Sequence, residues 1–224
     1  MPKETFHNLP TEKRDLVVRC AYEEFARRDY RSASLSRVVE RAGIAKGSVY
    51  QYFENKLDLY RYLIRIATER KLEYLADHPD VAEGGFFDRL RAIVFRSLQF
   101  NLENPLPSHL LYLAARETPT SETAPVAAQV HSDARAFLTH QVAEAQRRGE
   151  IRVDLDIDLA GYMLSRLSIG LEDYIQDRYQ FSYAQVLSER RASLPVPREE
   201  LERVTDSFID LVRLGLETAS LRTV

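Results

Sequence analysis

Apolar residues return every three to four positions along nearly the whole chain, and no segment sustains an apolar–polar alternation of period two between turn signals. A 3.6-residue period puts such positions on one face of a helix, whereas a half-buried strand needs a period of two. The pattern therefore constrains the fold to the all-α class. Thr11, after Pro10, is the expected cap of a first helix carrying Leu16, Val17, Cys20, Ala21 and Phe25 inward. Ser34 opens a short helix that Gly43 closes, and Lys46–Tyr52 forms a third. Asn55 caps a long fourth helix to about Ala76. Beyond Pro79 and Gly84-Gly85, helices are expected at about 86–102, 108–116, 126–148, 157–178 and 198–221, with breaks at "TPTSETAP" and "SLPVPREE".

Of the 224 residues, 45% are hydrophobic and 29% charged, enough to build a core. No apolar run reaches the ~18 residues of a membrane span, and "MPKETFHNLPTEKRD" is not a signal peptide. Cys20 has no second cysteine to pair with, so the expected compartment is the cytoplasm and the expected role is a small core residue. The net charge of −3 hides an asymmetry: residues 1–56 carry 11 basic and 8 acidic side chains, and residues 57–224 carry 20 and 26.

The segment "SLSRVVERAGIAKGSVYQYF" has the form of a helix-turn-helix, two short helices about a glycine-containing turn. In that motif the second helix enters the major groove with its N-terminal residues toward bases and phosphates. Lys46 stands at that N-terminus and Gly47 allows close backbone approach. Ser48, Tyr50, Gln51 and Tyr52 bring hydroxyls and an amide, while Val49 and Phe53 face the core.

The series Phe25-Ala26, Tyr30, Ser34-Leu35, Val38, Arg41-Ala42-Gly43-Ile44, Lys46-Gly47-Ser48-Val49-Tyr50, Tyr52-Phe53, Lys56 and Leu59 resembles the DNA-binding domain of the TetR family of transcriptional regulators. The likeness covers about Thr11–Leu63, and "AEAQRRGEIRVDLDIDLAGYML" resembles the family's entry into its dimerisation helices. It implies an N-terminal three-helix helix-turn-helix domain at 1–56 and a larger helical effector-binding and dimerisation domain at 57–224. It also implies a homodimeric repressor, bound to a palindromic double-stranded DNA operator and released by a small molecule. By position, Lys46, Gly47, Ser48, Tyr50, Gln51 and Tyr52 match the recognition helix. Ser34, Ser36 and Arg37 match the helix before it, and Lys56 matches a backbone-contacting lysine. Phe25 and Phe53 match core positions. Asp29 stands where glycine is common and a positive φ is expected; Ala33 and Ala45 stand where hydroxyls are common.

"DLDID" (Asp154, Asp156, Asp158) opens like a calcium loop, but Leu159 and Ser165 occupy positions that need Gly and Glu. Asp156 is better read as a helix cap. His131 and His140, nine apart, do not share a helix face at ligand spacing. No metal or cofactor is expected, and no nucleophile elbow, phosphate loop or dinucleotide fingerprint suggests an enzyme. Phe100, Tyr112, Phe137 and Tyr162 are the aromatic candidates for an effector pocket, with Arg116 and Glu117 either pocket groups or surface. Apolar stripes on the last two long helices include Met163, Leu167, Leu171 and Tyr174, and Val204, Phe208, Val212 and Gly215. They suit helix packing, either between two subunits or within one chain. An activator, a regulator answering to a protein partner, and an enzyme on a helical scaffold are the competing readings.

Overall fold

The computed structural model describes residues 2–116, 122–189 and 195–217, and every regular element among them is helical. The elements are α1 (Glu4–His7), α2 (Thr11–Arg27), α3 (Leu35–Arg41), α4 (Ser48–Tyr52), α5 (Lys56–Ala76), α6 (Phe86–Glu103), α7 (Pro105–Ala114), α8 (Ala124–Arg147), α9 (Ile157–Arg178), α10 (Tyr183–Ser188) and α11 (Arg198–Leu216). A 3₁₀ turn at Pro79–Val81 precedes α6. The periodicity anticipates all of them except α1 and α10, which are too short to show a repeat. α4 begins two residues later than expected, and α7 begins at Pro105, three residues before the expected start at 108. Proline is tolerated there because the first helical turn needs no N–H donor. Glu117, the first half of "TPTSETAP", the first two residues of "SLPVPREE" and the expected end of the last helix lie outside the described residues.

The chain divides into two compact units. The first comprises Met1–Lys71, Asn104–Val130 and Tyr183–Leu194. Its core joins Val17, Ala21 and Phe25 of α2 to Val38 and Val39 of α3, Val49 of α4 and Phe53. Leu59, Leu63 and Ala67 of α5 and Leu110 and Ala114 of α7 complete it. Cys20 is buried in this core as a free thiol. Asn55 starts α5 by accepting the Asp58 N–H at 2.9 Å, and the Asp58 carboxylate accepts the Glu54 N–H at 3.1 Å. This near-reciprocal pair satisfies donors that a helix start leaves unpaired.

The second unit comprises Leu72–Glu103, His131–Ser182 and Pro195–Val224. Here α11 packs along α6, burying Leu201, Val204, Phe208, Ile209 and Val212, while Arg91 of α6 pairs with Asp206 at 2.5 Å. Asp156 caps α9 by accepting the Leu159 N–H at 3.0 Å, as its position led one to expect. Gly161 is where α9 meets α8: a Cβ there would lie 2.7 Å from the Thr139 Cα. Only a residue without a side chain permits that approach.

Candidate nucleic-acid interface

The helix-turn-helix is built from the end of α3 outward. Gly43 has φ +63°, a left-handed conformation that a Cβ disfavours, and no atom lies close enough to demand glycine on other grounds. Its N–H donates to the Glu40 carbonyl at 3.2 Å, and the Ile44 N–H donates to the Val39 carbonyl at 3.2 Å. These two bonds form a Schellman stop, which ends α3 and redirects the chain toward α4. Val49 and Phe53 anchor α4 in the core.

What this leaves toward solvent is narrower than the sequence suggested. Lys46, Gly47, Gln51 and Ser36 are exposed, Tyr50 is 56% exposed, and Ser48 and Ser34 are half-buried. These residues cluster at the N-terminal side and outer face of α4 and at the start of α3. Tyr52 does not join them. It is buried, its ring 5.9 Å from that of Phe6, because a five-residue helix docked through Val49 also turns position 52 inward. Lys56 is likewise not a free cation. Its ammonium donates to the carbonyls of Tyr30, Arg31 and Ala33 at 2.8, 3.2 and 3.3 Å and lies 4.4 Å from the centre of the Tyr30 ring. Three carbonyls and an aromatic face hold it as a brace for the turn before α3.

Arg37 is similarly committed. Its Nε donates to Glu24 Oε1 at 2.7 Å and its Nη2 to the Ser32 carbonyl at 2.5 Å. Glu24, on α2, is a fully buried carboxylate that the sequence reading passed over. Its Oε1 also accepts the Ser34 N–H at 3.0 Å, and Arg28 and Arg41 lie within 3.5 and 3.6 Å of its oxygens. Burial alone would raise this carboxyl's pKa. The hydrogen bonds from Arg37 and Ser34, with the charges of Arg37 and Arg28, outweigh that and hold it below the usual carboxylate range. A glutamate on the buried side of an amphipathic helix was the one available signal. Apart from Arg28, one helical turn on, its partners are 10 to 17 residues away, so periodicity could not name them.

Asp29 departs from expectation too. Gln180 is the only described non-glycine residue with positive φ, so Asp29 takes an ordinary backbone conformation. It acts instead through its side chain, which accepts the Ser32 N–H at 2.8 Å and forms an Asx-type turn in place of a glycine.

The second set of candidates comes from four helices, α6 to α9. Phe100 is buried on α6, its ring 5.4 Å from that of Tyr74. Tyr112 belongs to the first unit, where His109 and Tyr183 lie beside its ring and Arg116 sits 4.0 Å over it. Phe137 and Tyr162 are exposed on α8 and α9. Among the stripe residues, Met163, Leu167 and Tyr174 of α9 are exposed, while Leu171 is buried. Val204, Phe208 and Val212 turn inward toward α6, which corrects their assignment to a subunit interface. The apolar residues that α11 leaves outside are Leu211 and Leu214, with Gly215 beside them.

A family model described as bacterial regulatory proteins, tetR family, matches residues 17–63, from within α2 to the first part of α5. The chain is 33% identical to a TetR family transcriptional regulator from Chloroflexus aurantiacus J-10-FL known from its crystal structure. That likeness covers 97% of this chain and 99% of the other, with a TM-score of 0.76. It is 24% identical to the HTH-type transcriptional regulator TtgR of Pseudomonas putida over 91% of this chain and 93% of that protein. The fold is also that of FadR from Bacillus subtilis, solved in complex with stearoyl-CoA, at 18% identity and a TM-score of 0.67 over 88% of this chain and 96% of that one. With a helix-turn-helix in place and a full-length relative at this identity, the chain belongs to the TetR family of transcriptional regulators.

Proposed function

We propose that this chain is a homodimeric repressor whose residues 1–56 bind a palindromic duplex operator, and whose residues 57–224 dimerise and bind a small, largely apolar effector that releases it. The observation that carries the DNA reading is the outward cluster of Lys46, Gly47, Tyr50 and Gln51 on a helix held by core contacts on its other face. Ser34, Ser36 and Ser48 flank it with hydroxyls. Tyr50 and Gln51 are assigned to base edges and Lys46 to phosphate. A protein of this kind works in the cytoplasm, without a membrane, cofactor or catalytic step.

The dimer reading is supported by the apolar residues left exposed on α9 and α11: Tyr162, Met163, Leu167 and Tyr174, with Leu211 and Leu214. Met163, Leu167 and Tyr174 recur at intervals of four and seven and so share one face of α9; an exposed apolar face marks an interaction site, and a twofold axis makes a single patch self-complementary. Two recognition helices about 34 Å apart then meet successive major grooves. For the effector, Phe100 and Tyr112 remain candidates as buried or half-buried aromatics, each within its own unit. The coupling element is α5, one continuous helix whose Lys56 braces the turn before α3. An effector that prefers the wrongly spaced dimer by ~1–3 kcal/mol weakens DNA binding about 5–150-fold, and DNA weakens effector binding equally.

The test is selection of duplexes from a random pool by the wild-type protein, followed by footprinting with Tyr50→Ala and Lys46→Ala. Both substitutions are expected to remove the footprint and leave the melting temperature in place. Wild-type footprints from both variants would refute the assignment.

A further inference from the structure

A helix that ends at Tyr52 leaves the carbonyls of its last four residues, 49 to 52, without partners from a following helical turn. In α4 the Val49 carbonyl is taken by the Phe53 N–H at 2.8 Å. The other three are all taken by the segment before α2. Lys3 donates its ammonium to the Tyr50 carbonyl at 2.8 Å and its backbone N–H to the Tyr52 carbonyl at 2.8 Å. The Thr5 hydroxyl donates to the Gln51 carbonyl. Between those donors and α2, Phe6 is completely buried, with its ring centre 4.9 Å from that of Phe53, 5.4 Å from Tyr62 and 5.9 Å from Tyr52.

We propose that residues Lys3, Thr5 and Phe6 form a C-terminal cap for the recognition helix, and that Lys3 and Thr5 are positioning residues for sequence-specific DNA binding. The inference rests on the DNA reading of α4 given above. Five residues are far too few to hold a helix by their own hydrogen bonds, so the pitch of α4 is set by what its ends are tied to. Its inner face is tied by Val49. The carbonyls of Tyr50 and Gln51 belong to the very residues assigned to base edges, and the arm fixes both. Base readout depends on holding side chains to within a fraction of an ångström, whereas phosphate attraction tolerates slack. Loss of the cap is therefore expected to reduce discrimination between sequences more than affinity for DNA in general. Phe6 serves as the rivet that keeps the arm docked, and the two exposed residues can be altered without disturbing it.

The experiment compares wild type with Thr5→Val, with Thr5→Val combined with Lys3→Met, and with Lys3→Arg. The probes are the duplex most enriched by wild type from a random pool and a duplex of scrambled sequence. Binding is read by fluorescence anisotropy at several salt concentrations, and amide exchange is read at Tyr52 and Phe53. The double variant is expected to bind the enriched duplex about tenfold more weakly and the scrambled one within threefold of wild type. Exchange at Tyr52 and Phe53 should accelerate about tenfold at an unchanged melting temperature. Thr5→Val, which alters no charge, should show part of the same loss, and Lys3→Arg should bind like wild type. Equal weakening on both duplexes, with a salt slope lower by about one, would make Lys3 a phosphate contact and overturn the proposal. Wild-type behaviour of the double variant would overturn it too. A wild-type protein that enriches no duplex would remove the DNA reading, and unchanged amide exchange would separately remove the cap.

Discussion

Replacing Glu24 by glutamine keeps the side chain's shape and removes its charge, which isolates the electrostatic grip of α2 on α3. The oxygen that accepts from Ser34 N–H and Arg37 Nε survives, but both bonds lose their ionic partner. Hydrogen bonds to a charged group contribute about 1.5–3 kcal/mol and neutral ones about 0.5–1.5, so two weakened bonds cost ~2–3 kcal/mol. Arg37 and Arg41 are more than a third exposed, so water screens their repulsion of the new amide and the lower end of that range applies. Roughly 2 kcal/mol corresponds to a fall of about 4–8 °C in melting temperature for a chain of this size. The sign with pH follows from the depressed carboxyl: its contribution is complete above the unfolded value near 4.3 and disappears as pH falls through the folded one. Urea unfolding of Glu24→Gln and wild type at pH 7, 5 and 3 should thus show a full gap at pH 7 and 5 that closes toward pH 3. A gap under about 0.5 kcal/mol at pH 7, or one that widens on acidification, would refute the clamp.

His109 acts in the same direction over a higher pH range: burial pushes its pKa down to about 4, and its ring is hydrogen-bonded to the Ala26 backbone while Nδ1 has no partner among the described residues. Stability should fall as pH drops from ~6.5, by about 2 kcal/mol at pH 5, and His109→Gln should flatten that decline in urea titrations. Gly161→Ala forces a methyl against the Thr139 backbone and should cost ~1–3 kcal/mol by thermal melting, with no compensating gain in helix propensity visible. Leu211→Glu with Leu214→Glu should convert a dimer to a folded monomer in sedimentation, whereas Phe208→Glu, on the buried face of α11, should unfold the second unit in circular dichroism; a folded monomer from Phe208→Glu would contradict its place in the core.

The sequence by itself determined the helical class, nearly every long helix, the stop at Gly43, the caps at Asn55 and Asp156, and the outward position of Lys46, Gly47, Tyr50 and Gln51. These are local properties, set by hydrophobic period, φ preference and hydrogen bonds within four residues. Tertiary structure decided which way each side chain was committed. Tyr52 and Lys56 sit in the motif at positions that suit DNA, yet Phe6 covers one and the carbonyls of residues 30 to 33 hold the other. The stripe of α11 was legible as an apolar face, but a stripe does not say whether α6 or a second subunit covers it. Glu24 and the Lys3–Phe6 arm were invisible for the same reason: their partners lie from 4 to 56 residues away, and the folded chain alone brings them together.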